Sequence, residues 1–89
     1  MTPASWTYPD ELLVALAGFG LAPTPATPPA LVRDAMNDLY RYELRRMRDR
    51  LRQGAIEKST YLDLVIATRK RYWPLTLPLP AWEKICASP

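Results

Sequence analysis

Residues 28 to 74 read PPALVRDAMNDLYRYELRRMRDRLRQGAIEKSTYLDLVIATRKRYWP, and the one glycine among them, Gly54, decides the fold. Between Pro29 and Gly54 the chain has neither glycine nor proline, and the good helix formers Leu, Ala, Met, Arg, Glu and Gln dominate. The stretch predicts a helix over 28–53, about 26 residues and roughly 39 Å long. Val32, Ala35, Met36 and Leu39 open its apolar stripe. Tyr40, Leu44, Met47 and Leu51 carry it on at 4-3-4 spacing, close to the rhythm of a helix with a long helical partner. Gly54 ends this element, and a second helical run over 57–73 follows until Pro74 stops it. So short a connection turns the chain back antiparallel as a hairpin, with Ile56 plugging the open end. On the second limb Tyr61, Val65, Thr68 and Tyr72 form one row, and Leu62, Ile66 and Trp73 form another beside it. That face is wider than one partner helix covers.

Outward from the hairpin the elements shorten. Pro9, Asp10 and Glu11 suit a helix start, where proline loses no useful donor and carboxylates meet the positive end of the dipole. A helix over about 9–18 follows, with Leu12, Leu13, Leu16 and Phe19 on one side and Gly18 and Gly20 as its stop. Pro23, Pro25, Pro28 and Pro29 make 21–29 a stiff, extended connector, with Thr27 as the N-cap of the long helix. After Pro74, leucines at every second position between prolines predict an extended arm over 74–80, then a short helical turn presenting Trp82 and Ile85. The expected architecture is therefore all-α: a single small domain over 1–89, a long antiparallel hairpin with a short N-terminal helix and an extended Pro/Leu arm packed on it.

With 48% hydrophobic and 24% charged residues in 89, the chain has the composition of one soluble domain. Folding at this size hides only about 60–65% of the unfolded chain's surface, so a homo-oligomer, most simply a homodimer, is expected. The absence of histidine removes Ser-His-Asp and Cys-His catalysis and His-containing metal sites. The single cysteine, Cys86, forms no intrachain disulfide, which fits a reducing compartment. Met1 to Tyr8 has no leader pattern, and no apolar run approaches the roughly 20 residues of a membrane span. A cytoplasmic protein is expected. The three glycines build no phosphate loop, so neither an enzyme nor a cofactor is expected.

Charge is concentrated on the hairpin. Of 12 basic and nine acidic residues, Arg41 to Arg71 holds ten and four, a local +6 that leaves −3 for the rest of a chain with net charge +3. Arg41, Arg45, Arg48 and Arg52 recur at i, i+4, i+7 and i+11, within about 60° on one helix face and opposite the apolar stripe. Guanidinium forks bind carboxylate or phosphate, so this row is a candidate for an acidic protein partner or, second, for nucleic acid. The plainer reading is a solvated face relieved by Asp38 and Asp49. Glu43 falls inside the apolar stripe and needs a partner: Arg46, Arg50, a tyrosine hydroxyl or a base on the facing helix. Tyr61, Val65, Tyr72, Trp73, Leu77 and Trp82 are the candidate apolar interface, since tryptophan and tyrosine are frequent interface anchors.

The segment Gly54-Ala55-Ile56-Glu57-Lys58-Ser59-Thr60-Tyr61 resembles the turn of the SHOCT family, short helical hairpins reading glycine, apolar, isoleucine, threonine, acidic residues and phenylalanine. The likeness covers 44–71 and departs at Glu57, where that family has a threonine cap. It implies an oligomerisation or tethering module and brings no catalytic residues. Both lines lead to the same expectation, a small non-catalytic interaction or assembly module. The alternatives are a nucleic-acid-binding hairpin and an accessory subunit or assembly factor of a larger enzyme.

Overall fold

The computed structural model describes residues 5–87 and is all-α. Four helices follow one another: α1 (Asp10–Ala17), α2 (Pro29–Arg52), α3 (Lys58–Arg71) and α4 (Leu79–Cys86), with a 3-10 turn at Trp73–Thr76. Part of the Met1 to Tyr8 leader reading falls on residues 1–4, outside the described residues.

Two glycines end helices in the same way. Gly20 and Gly54 take φ of 76° and 74°, a left-handed conformation that a Cβ would strain. Behind Gly54 the Ala55 N–H reaches the Arg50 carbonyl at 2.9 Å, and the Gly54 N–H donates to Leu51 at 3.1 Å. Behind Gly20 the Leu21 N–H donates to Leu16 at 2.9 Å, and the Gly20 N–H to Ala17 at 3.0 Å. Both are Schellman closures, which satisfy helix-end carbonyls. At the first helix the residue that matters is Gly20, not Gly18.

Gly54 lets α3 return along α2. Tyr40 meets Tyr72 with ring centroids 5.0 Å apart, Glu43 meets Arg71 and Met47 meets Thr68, so rising numbers on one helix pair with falling numbers on the other. The limbs are antiparallel.

The core lies at one end of this hairpin. Leu12 and Leu16 of α1, Val32 and Met36 of α2, and Trp82 and Cys86 of α4 are buried together with Tyr8 and Tyr72. Beyond it the hairpin is a two-helix stalk, in which the buried residues of α2 and α3 are Met47 and Thr68. The shape records the division: the radius of gyration is 15.8 Å, where a compact chain of this length has about 12 Å, and the extents are 56 × 20 × 18 Å.

Three local expectations are corrected. The arm over 74–80 is not extended, because Pro74 sits in the first positions of the 3-10 turn and Pro80 in those of α4, where a missing N–H is harmless. Leu77 and Pro78 alone keep extended backbone between them. The connector contains a turn, Thr24–Thr27, closed by a 2.9 Å N–H to carbonyl bond with Pro25 at its second position. Thr27 is not a helix cap: its hydroxyl accepts the Thr24 N–H at 3.0 Å, and Pro28 holds the cap position with no side-chain bond.

The C-terminal segment packs on its own chain. Arg33 donates from Nε to the Leu77 carbonyl at 3.0 Å and from its Nη2 to Leu75 at 3.4 Å. Fully buried Trp82 donates its indole N–H to the Pro74 carbonyl at 2.8 Å. The N-terminal segment closes the same end: the Trp6 N–H donates to Pro25 at 2.9 Å, the Thr7 N–H to Cys86 at 2.8 Å, and the Tyr8 hydroxyl to Thr27 at 2.7 Å. Replacing Trp82 with Phe keeps an aromatic ring but removes the indole donor, leaving the Pro74 carbonyl with the 3.2 Å Leu77 N–H alone. The Trp82→Phe variant is expected to lose about 1–3 kcal/mol in urea unfolding, from the lost bond together with the space the smaller ring leaves, whereas unchanged stability would show that the indole does not hold the segment.

Candidate functional site

The stalk carries the candidate site because two helices side by side cannot cover each other's flanks. A groove of about 410 Å³ runs along one side of it. From α2 it is lined by Tyr40, Arg41, Leu44, Arg45 and Arg48, and from α3 by Tyr61, Val65 and Arg69. Leu44, Tyr61 and Val65 are half-buried and form the apolar floor, while the four arginines are exposed around it.

Three of the four arginines expected in a row are therefore brought to this groove. Arg52, the last residue of α2, is exposed outside it. Its place as the fourth cation is taken by Arg69, which sequence reasoning missed because it followed charge along one helix only. The signal was present: Tyr61, Val65 and Arg69 recur every four residues and share a face. The row also does not stand apart from apolar surface, as expected, but borders it through Leu44.

No described carboxylate approaches these arginines within ion-pair distance, including Asp38 and Asp49, the relief expected along the helix. Among the described residues the one ion pair is that of Glu43 with Arg71, at 3.3 Å. This is the base on the facing helix expected for Glu43; it engages Oε1, while the buried Oε2 has no hydrogen-bond partner among the described residues. Both side chains are partly exposed, so the pair contributes no more than about 0.2–1 kcal/mol. Arg71 also lies over the Phe19 and Tyr72 rings, 5.3 and 5.9 Å from their centroids, and those two rings pack 4.2 Å apart. This knot joins core to stalk. Burial, and then the neighbouring Glu43 carboxylate, push the Tyr72 hydroxyl well above the usual tyrosine range. Burial, and then the nearby Cys86, raise Tyr8 to about 12. Burial likewise raises the Cys86 thiol.

The expected apolar interface divides. Tyr72 and Trp82 are buried in their own chain and offer no surface, because the small core needs both rings. Tyr61, Val65, Trp73 and Leu77 are half-buried. Trp73 and Leu77 pack against the core, while Tyr61 and Val65 are in the groove. The second row on α3 keeps its surface, with Leu62 and Ile66 at 50% and 53% exposure. Ile56 is half-buried at the turn. Among the described residues no three acidic or thiol side chains converge as metal ligands would, and no helix is long and apolar enough to cross a membrane.

Comparison with known protein families, with curated proteins and with solved structures finds no match to this chain in any of the three. The likeness of the Gly54–Tyr61 turn to the SHOCT pattern therefore rests on those residues alone.

The raised tyrosines give a pH signature. A buried hydroxyl stays protonated in the folded chain while the unfolded chain ionises near 10, so the stability it contributes is complete below that pH and is lost as pH rises. Urea unfolding is expected to show stability falling from pH 10 to about 12, the range set by Tyr8. The fall is expected to be shallower in Tyr8→Phe. A flat profile over that range would contradict the burial of the hydroxyl.

Proposed function

We propose that this protein is a small non-catalytic interaction and assembly module that works through two neighbouring surfaces of its stalk. One is the arginine-bordered groove between α2 and α3. The other is the Leu62 and Ile66 strip of α3, which gives a second copy a place to bury apolar area and suits the homodimer expected of so short a chain. The observation that carries the reading is the set of four arginines around an apolar floor with no carboxylate of the described residues in reach. Uncompensated charge beside apolar surface is what a partner of opposite charge completes, and it gives specificity and fast association.

The nucleic-acid reading uses the same arginines with Tyr40 and Tyr61, since single-stranded chains bind where cations flank aromatic faces. Tyr40, however, already packs on Tyr72, which leaves Tyr61 as the one uncommitted ring beside aliphatic Leu44 and Val65. A protein partner is the better fit.

The test is recovery of the tagged chain from its native cell beside two variants of unchanged helicity. The partners recovered with the original chain are expected to be lost from Arg45→Glu/Arg48→Glu, and dimerisation in sedimentation is expected to be lost from Leu62→Asp/Ile66→Asp. Identical partners and identical sedimentation for all three chains would overturn the proposal.

A further inference from the structure

We infer that the groove takes an acidic amphipathic helix of another protein, with carboxylates repeating at i, i+4 and i+7 beside a row of aliphatic side chains. The inference rests on the interaction-module reading and names the partner's chemistry. Arg41, Arg45 and Arg48 stand at that same spacing and cover about 10 Å of the α2 axis, two turns of a facing helix. Arg69 closes the opposite bank. Between the banks the floor is Leu44, Tyr61 and Val65, so an occupant must set charge at its edges and apolar side chains at its centre. A helix does this, because residues three and four apart share one of its faces. Each carboxylate meets a guanidinium that has no competing carboxylate among the described residues.

Other occupants fit the same groove less well. A bilayer is flat and does not reach a floor set between two helices. A nucleic acid would place bases on a floor whose one uncommitted ring is Tyr61, since Tyr40 already packs on Tyr72 and Leu44 and Val65 are aliphatic. A second copy has no matching segment: its one pair of carboxylates at i, i+4 is Asp34 and Asp38, and Arg41 stands at i+7 where the third carboxylate would have to be.

The test uses the full chain and a fluorescent helical peptide of about 18 residues, five turns, with Glu at i, i+4 and i+7 and Leu along the flanking row. Binding read by anisotropy is expected at micromolar peptide and to weaken about tenfold as salt rises from about 50 to 200 mM. It is also expected to weaken at least about tenfold in Arg45→Gln/Arg48→Gln, a variant that keeps α2 helical. Val65→Asp at the floor is expected to abolish it while leaving the thermal melt near that of the original chain. A scrambled peptide of the same composition is expected not to bind. Equal binding by the scrambled peptide would overturn the inference. So would tighter binding of phosphatidylserine vesicles or a single-stranded oligonucleotide, or self-association that excludes the peptide. Should the peptide fail while Arg45→Glu/Arg48→Glu still strips native partners from the chain, the module reading stands and the acidic-helix partner falls.

Discussion

The core ends at Tyr72, and the rest of the molecule follows from that limit. The described chain has enough large apolar side chains to enclose one end of the hairpin with α1, α4 and the 3-10 turn, and not enough to enclose the other. Beyond the Phe19, Tyr72 and Arg71 knot, α2 and α3 have only each other. Two cylinders in contact bury one line of side chains, here around Met47 and Thr68, and leave a trough on either side. The groove thus follows from a stalk that has no third helix among the described residues.

Charge then distinguishes one trough from the other. On the flank beside Glu43, Arg46 and Arg50 also line the trough, but an acid stands among these cations: Glu43 pairs through Oε1 with Arg71 of the opposite helix, and its buried Oε2 has no hydrogen-bond partner among the described residues. On the flank beside Leu44 the cations come from both helices and no described acid answers them. Surface arginines are well solvated and cost little when unpaired, so the fold tolerates the arrangement. It becomes favourable only when something of opposite sign displaces the water between the banks.

The hairpin was legible because two strong local signals agreed: an uninterrupted helical run with a 4-3-4 apolar rhythm, and a glycine whose left-handed conformation ends it. Position 43 was legible as a pairing site for the same reason, since a carboxylate on the apolar side of a helix has few ways to survive. The C-terminal arm was misread because proline excludes helix interiors yet suits first turns, and Pro74 and Pro80 both occupy first turns. Tyr72 and Trp82 were assigned to an interface because anchors and core aromatics have the same composition; only the count of side chains around α4 separates them. Arg69 was overlooked because a groove belongs to two helices at once, and a charge pattern followed along one helix cannot show it.

The central claim is that the groove floor is open to solvent and lies in a positive field. Paramagnetic relaxation of the methyl groups by two small nitroxides of similar size, one anionic and one neutral, measures both properties together. The account predicts that the anionic probe relaxes Leu44 and Val65 more strongly than the neutral one, while Leu16 and Met36 in the core respond to neither. Equal effects of the two probes, or Leu44 and Val65 as silent as the core methyls, would contradict it.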